Sequence, residues 1–107
     1  MSLAKICELT EVPEEGTGKT LSFEHPFTYI QYDLGIFRVK GRLHVITDRC
    51  KFCGGSLGRG ELNGLYISCT KEEHAWSVKT GVCKHDRTNS MPIYKVQEQE
   101  DGIYINI

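Results

Sequence analysis

No apolar run in this sequence approaches the roughly 20 residues needed to cross a bilayer. The first residues, "MSLAKICELTEVP", carry charges throughout and no apolar h-region, so a cleaved export signal is not expected. Net charge is almost absent: 13 Lys and Arg against 14 Asp and Glu leave −1, with no long block of either sign. That excludes the electrostatic footprint of a nucleic-acid or anionic-membrane binder. The mildly acidic "QEQEDG" reads as a solvated strand and turn. No segment sustains a helical apolar stripe over three turns, and no internal repeat or low-complexity tract is found. "GTGKT", in the turn-rich loop "VPEEGTGKT", lacks the G-x4-G-K-[ST] spacing of a phosphate loop. No catalytic dyad or triad is visible, so the chain is not expected to turn over a substrate by itself.

What is present is one domain's worth of chain, residues 1–107. A chain this short buries about two thirds of the surface its unfolded form exposes, so a bound metal would matter to its stability. The pattern is period two. "TLSFE" (20–24), "TYIQYD" (28–33), "IFRVK" (36–40) and "RLHVIT" (42–47) are rich in β-branched and aromatic residues. "FRVKGRLHVI" predicts a tight hairpin turning at Lys40-Gly41. "LYISC" and "AWSVKTG" predict a strand pair joined by "TKEEH", and "MPIYKVQEQEDGIYINI" a closing hairpin turning at Asp101-Gly102. Eleven glycines among short strands point to an all-β small barrel or sandwich.

The cysteines are Cys7, Cys50, Cys53, Cys69 and Cys83. An odd count without an export signal argues against a disulfide framework and for a reducing, cytoplasmic location, where clustered thiols bind metal or do redox work. Cys50-x2-Cys53 puts two thiols on one tight loop, and Gly54 and Gly55 allow its amides to turn toward the sulfurs. Cys69-x4-His74 puts a thiol and an imidazole across a second turn. Two such loops can close on one metal ion or one small cluster, and three thiolates with an imidazole favour zinc or iron–sulfur over calcium or magnesium. The competing reading is packing, since a lone cysteine behaves as a small hydrophobe. Cys7 and Cys83 are read that way. A thioredoxin-type role for "CKFC" is disfavoured, because "GGSLGRGELNG" supplies no helix N-terminus. His85 sits in a polar loop beside Cys83, His25 in a turn before Pro26, and His44 half-buried on a strand.

In order and spacing these features resemble the Rieske iron–sulfur domain, whose loops read C-x-H-x-G-G-x-L and C-x2-H-x-W. Here Cys50 is followed by Gly54-Gly55-Ser56-Leu57, and Cys69 by His74-Ala75-Trp76 and "SVKTG". The flanking strands also resemble the family's, so the likeness covers nearly the whole chain. It implies an antiparallel strand framework with a two-loop cluster-binding subdomain at about 48–81. The departures fall on the ligands. The family's first-loop histidine falls at position 52, where Phe52 cannot ligate iron, and the second loop is two residues longer.

The resemblance implies a small soluble electron carrier with a 2Fe–2S cluster, here held by Cys50, Cys53, Cys69 and His74, with Cys53 replacing the lost histidine. His74 would be the partly exposed ligand and Trp76 core beneath the cluster. Gly54, Ser56 and nearby amides would hydrogen-bond the sulfurs. The implied partners are a flavin-dependent reductase and a terminal oxygenase or reductase. Two alternatives stay open: a mononuclear zinc or iron site on the same residues, since "CKFCG" also resembles a rubredoxin or zinc-ribbon knuckle, and a domain without metal acting as a non-redox subunit, as in some nitrite reductase small subunits.

Overall fold

The computed structural model describes residues 3–50, 54–69, 74–84 and 86–106. Among them the regular structure is all β apart from one 3₁₀ turn at Leu9–Glu11. The strands are β1 Leu3–Cys7, β2 Gly18–Glu24, β3 Gln31–Val39, β4 Arg42–Thr47, β5 Glu61–Asn63, β6 Tyr66–Ser68, β7 Ala75–Ser77, β8 Ile93–Tyr94, β9 Val96–Gln99 and β10 Gly102–Asn106. They form three antiparallel sheets, ordered β2-β3-β4-β8, β1-β10-β9 and β5-β6-β7.

The first of these sheets is central because both of its faces are apolar. Along β3, Leu34 and Ile36 enter a core with Ala4, Ile103 and Ile105 of the β1-β10-β9 sheet. Phe37 and Val39 enter a second core with Ile67 and Trp76 of the β5-β6-β7 sheet. Neighbouring β4 splits likewise, Leu43 and Val45 to the first core and Ile46 to the second. A strand buried on both faces loses the clean alternation of a half-exposed one, and the burial of β3 from Leu34 to Phe37 is continuous for that reason.

The predicted β3–β4 hairpin is present, with Lys40 at φ 52° and Gly41 at φ 77° between the paired Val39 and Arg42. Positive φ at both central residues is the twist that suits a two-residue hairpin. The Glu15 carboxylate accepts both amides of that turn, Lys40 N–H at 2.8 Å and Gly41 N–H beside it.

Two predictions need correction. Residues 28–30 of "TYIQYD" are not strand: the chain turns at residues 25–30 and β3 starts at Gln31. His25 causes this. Its backbone N–H donates to Ile30 O, and its carbonyl accepts from Tyr29 N–H, both at 2.9 Å. Its buried imidazole Nδ1 accepts from Phe27 N–H (3.1 Å) and Thr28 N–H (3.3 Å). Tyr29 is thereby held at φ 59°, and Phe27, Tyr29 and Ile30 point to solvent. The closing segment also divides. β8 joins β4 in the central sheet, whereas β9 pairs β10 across Glu100-Asp101. Gly102 opens β10 instead of forming the turn, at φ 155°, and a Cβ there would lie 2.8 Å from Cys7 O.

Candidate functional site

The first loop leaves β4 and is pinned by Asp48. Its carboxylate accepts the Ser56 hydroxyl (2.9 and 3.0 Å) and the Gly58 N–H, and its carbonyl accepts Leu57 N–H (2.8 Å). Cys50 N–H donates to Gly55 O (2.8 Å) and Gly54 N–H to Cys50 O (2.9 Å), so the loop folds back on Cys50. Gly54, at φ 71°, is the member of the Gly54-Gly55 pair that uses the left-handed region.

The second loop joins β6 to β7. Cys69 N–H donates to His74 O at 2.8 Å and closes it, while Ser68 and Ala75 stand opposite each other at its base. His74 is half-buried with its Nδ1 inside. Residues 82–84 return beside β7 through the Trp76–Cys83 bridge and the Lys84 N–H to Ala75 O bond.

Trp76 links the loops. It is fully buried, and its indole N–H donates to Cys50 Sγ at 3.4 Å. Trp76 is thus core, as predicted, and it is also the hydrogen-bond donor to Cys50. The donors expected for the sulfurs are spent elsewhere, Gly54 N–H on a carbonyl and the Ser56 hydroxyl on Asp48. A cleft of about 430 Å³ opens beside Cys50, walled by Arg49, Ser90, Met91 and Pro92.

Cys50 and Cys69 therefore share one buried core with Trp76, and His74 stands at its edge. Cys83 is a buried free thiol of the same core. Cys7 lies in the other core, where burial first and the Glu11 carboxylate second push its thiol pKa up. The odd cysteine count argues against a disulfide framework, yet Cys69 is disulfide-bonded, while Cys7, Cys50 and Cys83 are free. Cys53, Phe52 and His85 lie outside the described residues. Among the described residues, no three His, Cys, Asp or Glu side chains gather closely enough to hold a metal ion. No helix among them is long and apolar enough to cross a membrane.

A family model for the Rieske [2Fe-2S] domain matches residues 2–97. The chain belongs to this family. Three Rieske-like solved structures superpose on nearly all of it. The complex of reduced oxygenase and oxidised ferredoxin in carbazole 1,9a-dioxygenase has a chain 23% identical, at a TM-score of 0.76, covering 96% of this chain and 91% of that one. The ferredoxin of carbazole 1,9a-dioxygenase from Nocardioides aromaticivorans IC177 is 16% identical, at 0.77, covering 98% and 97%. A putative NADH-dependent nitrite reductase small subunit from Mycobacterium tuberculosis is 17% identical, at 0.77, covering 97% and 93%. At such identities the likeness establishes the Rieske fold alone. A search of curated protein sequences found no match.

The family is named for a 2Fe–2S group, and the fit of this Rieske domain to it is partial. Phe52 removes one of the two histidines of the ordinary donor set. Cys50, with an N–H on its sulfur, and His74 are suitable soft and borderline donors. Cys69 becomes a thiolate donor only once its disulfide is reduced.

Proposed function

We propose that this single Rieske domain is a small electron carrier whose reduced form holds a 2Fe–2S group on Cys50, Cys53, Cys69 and His74. When bound, that group supplies one-electron chemistry. The chain's own part is to place the donors. Trp76 N–H on Cys50 Sγ carries this reading, because it ties a buried sulfur of the first loop to the strand that follows the second and so holds the two loops side by side. The Asp48 carboxylate fixes the first loop, and the Cys69–His74 backbone bond fixes the second. His74, half-buried at the closing base of the second loop, is more exposed than Cys50 and Cys69 and is the proposed route by which a partner is reached. The partners proposed are a flavin-dependent reductase and a terminal oxygenase or reductase, in the cytoplasm. A ferredoxin–oxygenase complex among the fold's relatives supports that choice.

The test is iron and acid-labile sulfide content after anaerobic purification with a thiol reductant. A brown protein with two of each per chain is expected, with iron lost in Cys53→Ser and kept in Cys7→Ser. Replacing a neutral imidazole by a thiolate adds negative charge, so the potential should fall between about −150 and −400 mV. One zinc per chain, or full iron in Cys53→Ser, would overturn the assignment. A second reading rests on the Cys69 disulfide and Phe52: a metal-free Rieske domain acting as a non-redox subunit. Colourless reduced protein without metal would establish it.

A further inference from the structure

Along the edge of β4, where residues 42–44 run past the β8 pairing, a cleft of about 420 Å³ opens between the central sheet, the turn after β7 and the β8–β9 connection. Its accessible apolar lining is Ile93, 40% exposed, and the half-buried Val96; Val45 and Val78 border it but are buried, one in each core. Its rim is cationic, and the cations come from three separate parts of the chain: Arg42 opening β4, Lys79 after β7, and Lys95 between β8 and β9. Glu98 is the lone carboxylate in the lining. Among the described residues none of the three cations is in a salt bridge, although the chain as a whole is slightly acidic.

We propose that this cleft binds a small organic anion that has an apolar body and two negative groups. Ile93 and Val96 offer an apolar contact to a ring or short branched chain, and pockets of a few hundred Å³ are the usual size for small ligands. The three rim cations supply the charge complement, and Arg42 can grip a carboxylate or phosphate bidentately. The site lies apart from Cys50, Cys69 and His74 and does not depend on what they hold. His44 in the cleft wall reports on occupancy. Burial first, then the Lys79 and Arg42 charges, hold its pKa below the ordinary histidine value. A bound anion offsets both charges and favours the imidazolium, with Lys95, Glu98 and Tyr94 as the other titratable groups facing the cleft.

The experiment is an NMR titration of the His44 imidazole in the full chain, assigned with His44→Gln. The probes are phthalate, inorganic phosphate and benzyl alcohol. Phthalate should shift the His44 resonances saturably and raise its titration midpoint. Phosphate, which has charge without an apolar body, should need at least about tenfold more, and benzyl alcohol should have no effect. The exposed double variant Lys79→Glu/Lys95→Glu, confirmed folded by its β-sheet circular dichroism, should weaken phthalate at least about tenfold. Equal responses to phthalate and phosphate would show general charge attraction and overturn the proposal. So would an unsaturated response, or phthalate binding unchanged in the double variant.

Discussion

The two cores that share the central sheet are built differently. The core toward β1-β10-β9 is aliphatic, made by Leu34, Ile36, Leu43, Val45, Ile103 and Ile105 on comparatively long strands. The core toward β5-β6-β7 adds to Phe37, Val39 and Ile46 of the central sheet a sulfur-rich set, Cys50, Cys69, Cys83 and Met91, with Trp76, on three-residue strands and loops. The first is held mainly by aliphatic burial, with Phe23 and one free thiol, Cys7, at hand. The second is held by less regular backbone and by sulfur, so its cohesion depends on what those sulfurs are bonded to.

The largest test of that difference is Ile36→Ala. It removes a fully buried branched side chain from the aliphatic core and should cost about 2–5 kcal/mol. Denaturant unfolding should give the same loss with and without a thiol reductant. Gly60→Ala probes the other side. A Cβ at Gly60 would come within 1.8 Å of Ser68 O, which is backbone and cannot swing away. It should cost about 1–3 kcal/mol, and amide hydrogen exchange should accelerate in β5–β7 before it does in β1 and β10. An exchange pattern spread evenly over all three sheets would show that the cores are not separable.

The smallest expected effect is acid-side. Protonating His44 is disfavoured by its burial and by Lys79 and Arg42, so its folded pKa lies below the unfolded value near 6.5. The associated stability is present above that pH and is lost as pH falls through the depressed folded pKa. His44→Gln should flatten this part of the stability–pH curve and leave the alkaline side unchanged, which thermal unfolding across a pH series would show.

The same division decides what the sequence discloses. The Lys40-Gly41 hairpin is legible because two alternating runs flank a turn needing positive φ. The 28–30 stretch misleads because Tyr29 and Ile30 have strand propensity, and the buried His25 three to five residues upstream overrides it. "EHPF", a histidine before a proline that has no N–H to donate, was the available signal. β5 is missed because Glu61–Asn63 is a three-residue strand inside a glycine-rich stretch. At the candidate site, spacing singles out Cys50, Cys69 and His74 as candidates, but the Trp76 contact with Cys50 joins residues 26 apart and has no local signature. The cationic cleft is invisible for the same reason, since its lining comes from four segments.

The pairing of β1 with β10, Leu3 opposite Asn106, has a consequence for the order of assembly during synthesis. A chain made from its N-terminus cannot close the aliphatic core until Ile103 and Ile105 have left the ribosome. Cys50 and Cys69 emerge well before that, along with the β3–β4 hairpin, whose two-residue turn closes with little loop entropy. The sulfur-rich half therefore meets oxidant, metal or reductant while the other half is still unfolded. Its chemical state is open to being set on the nascent chain, before the last strand seals the opposite face of the sheet.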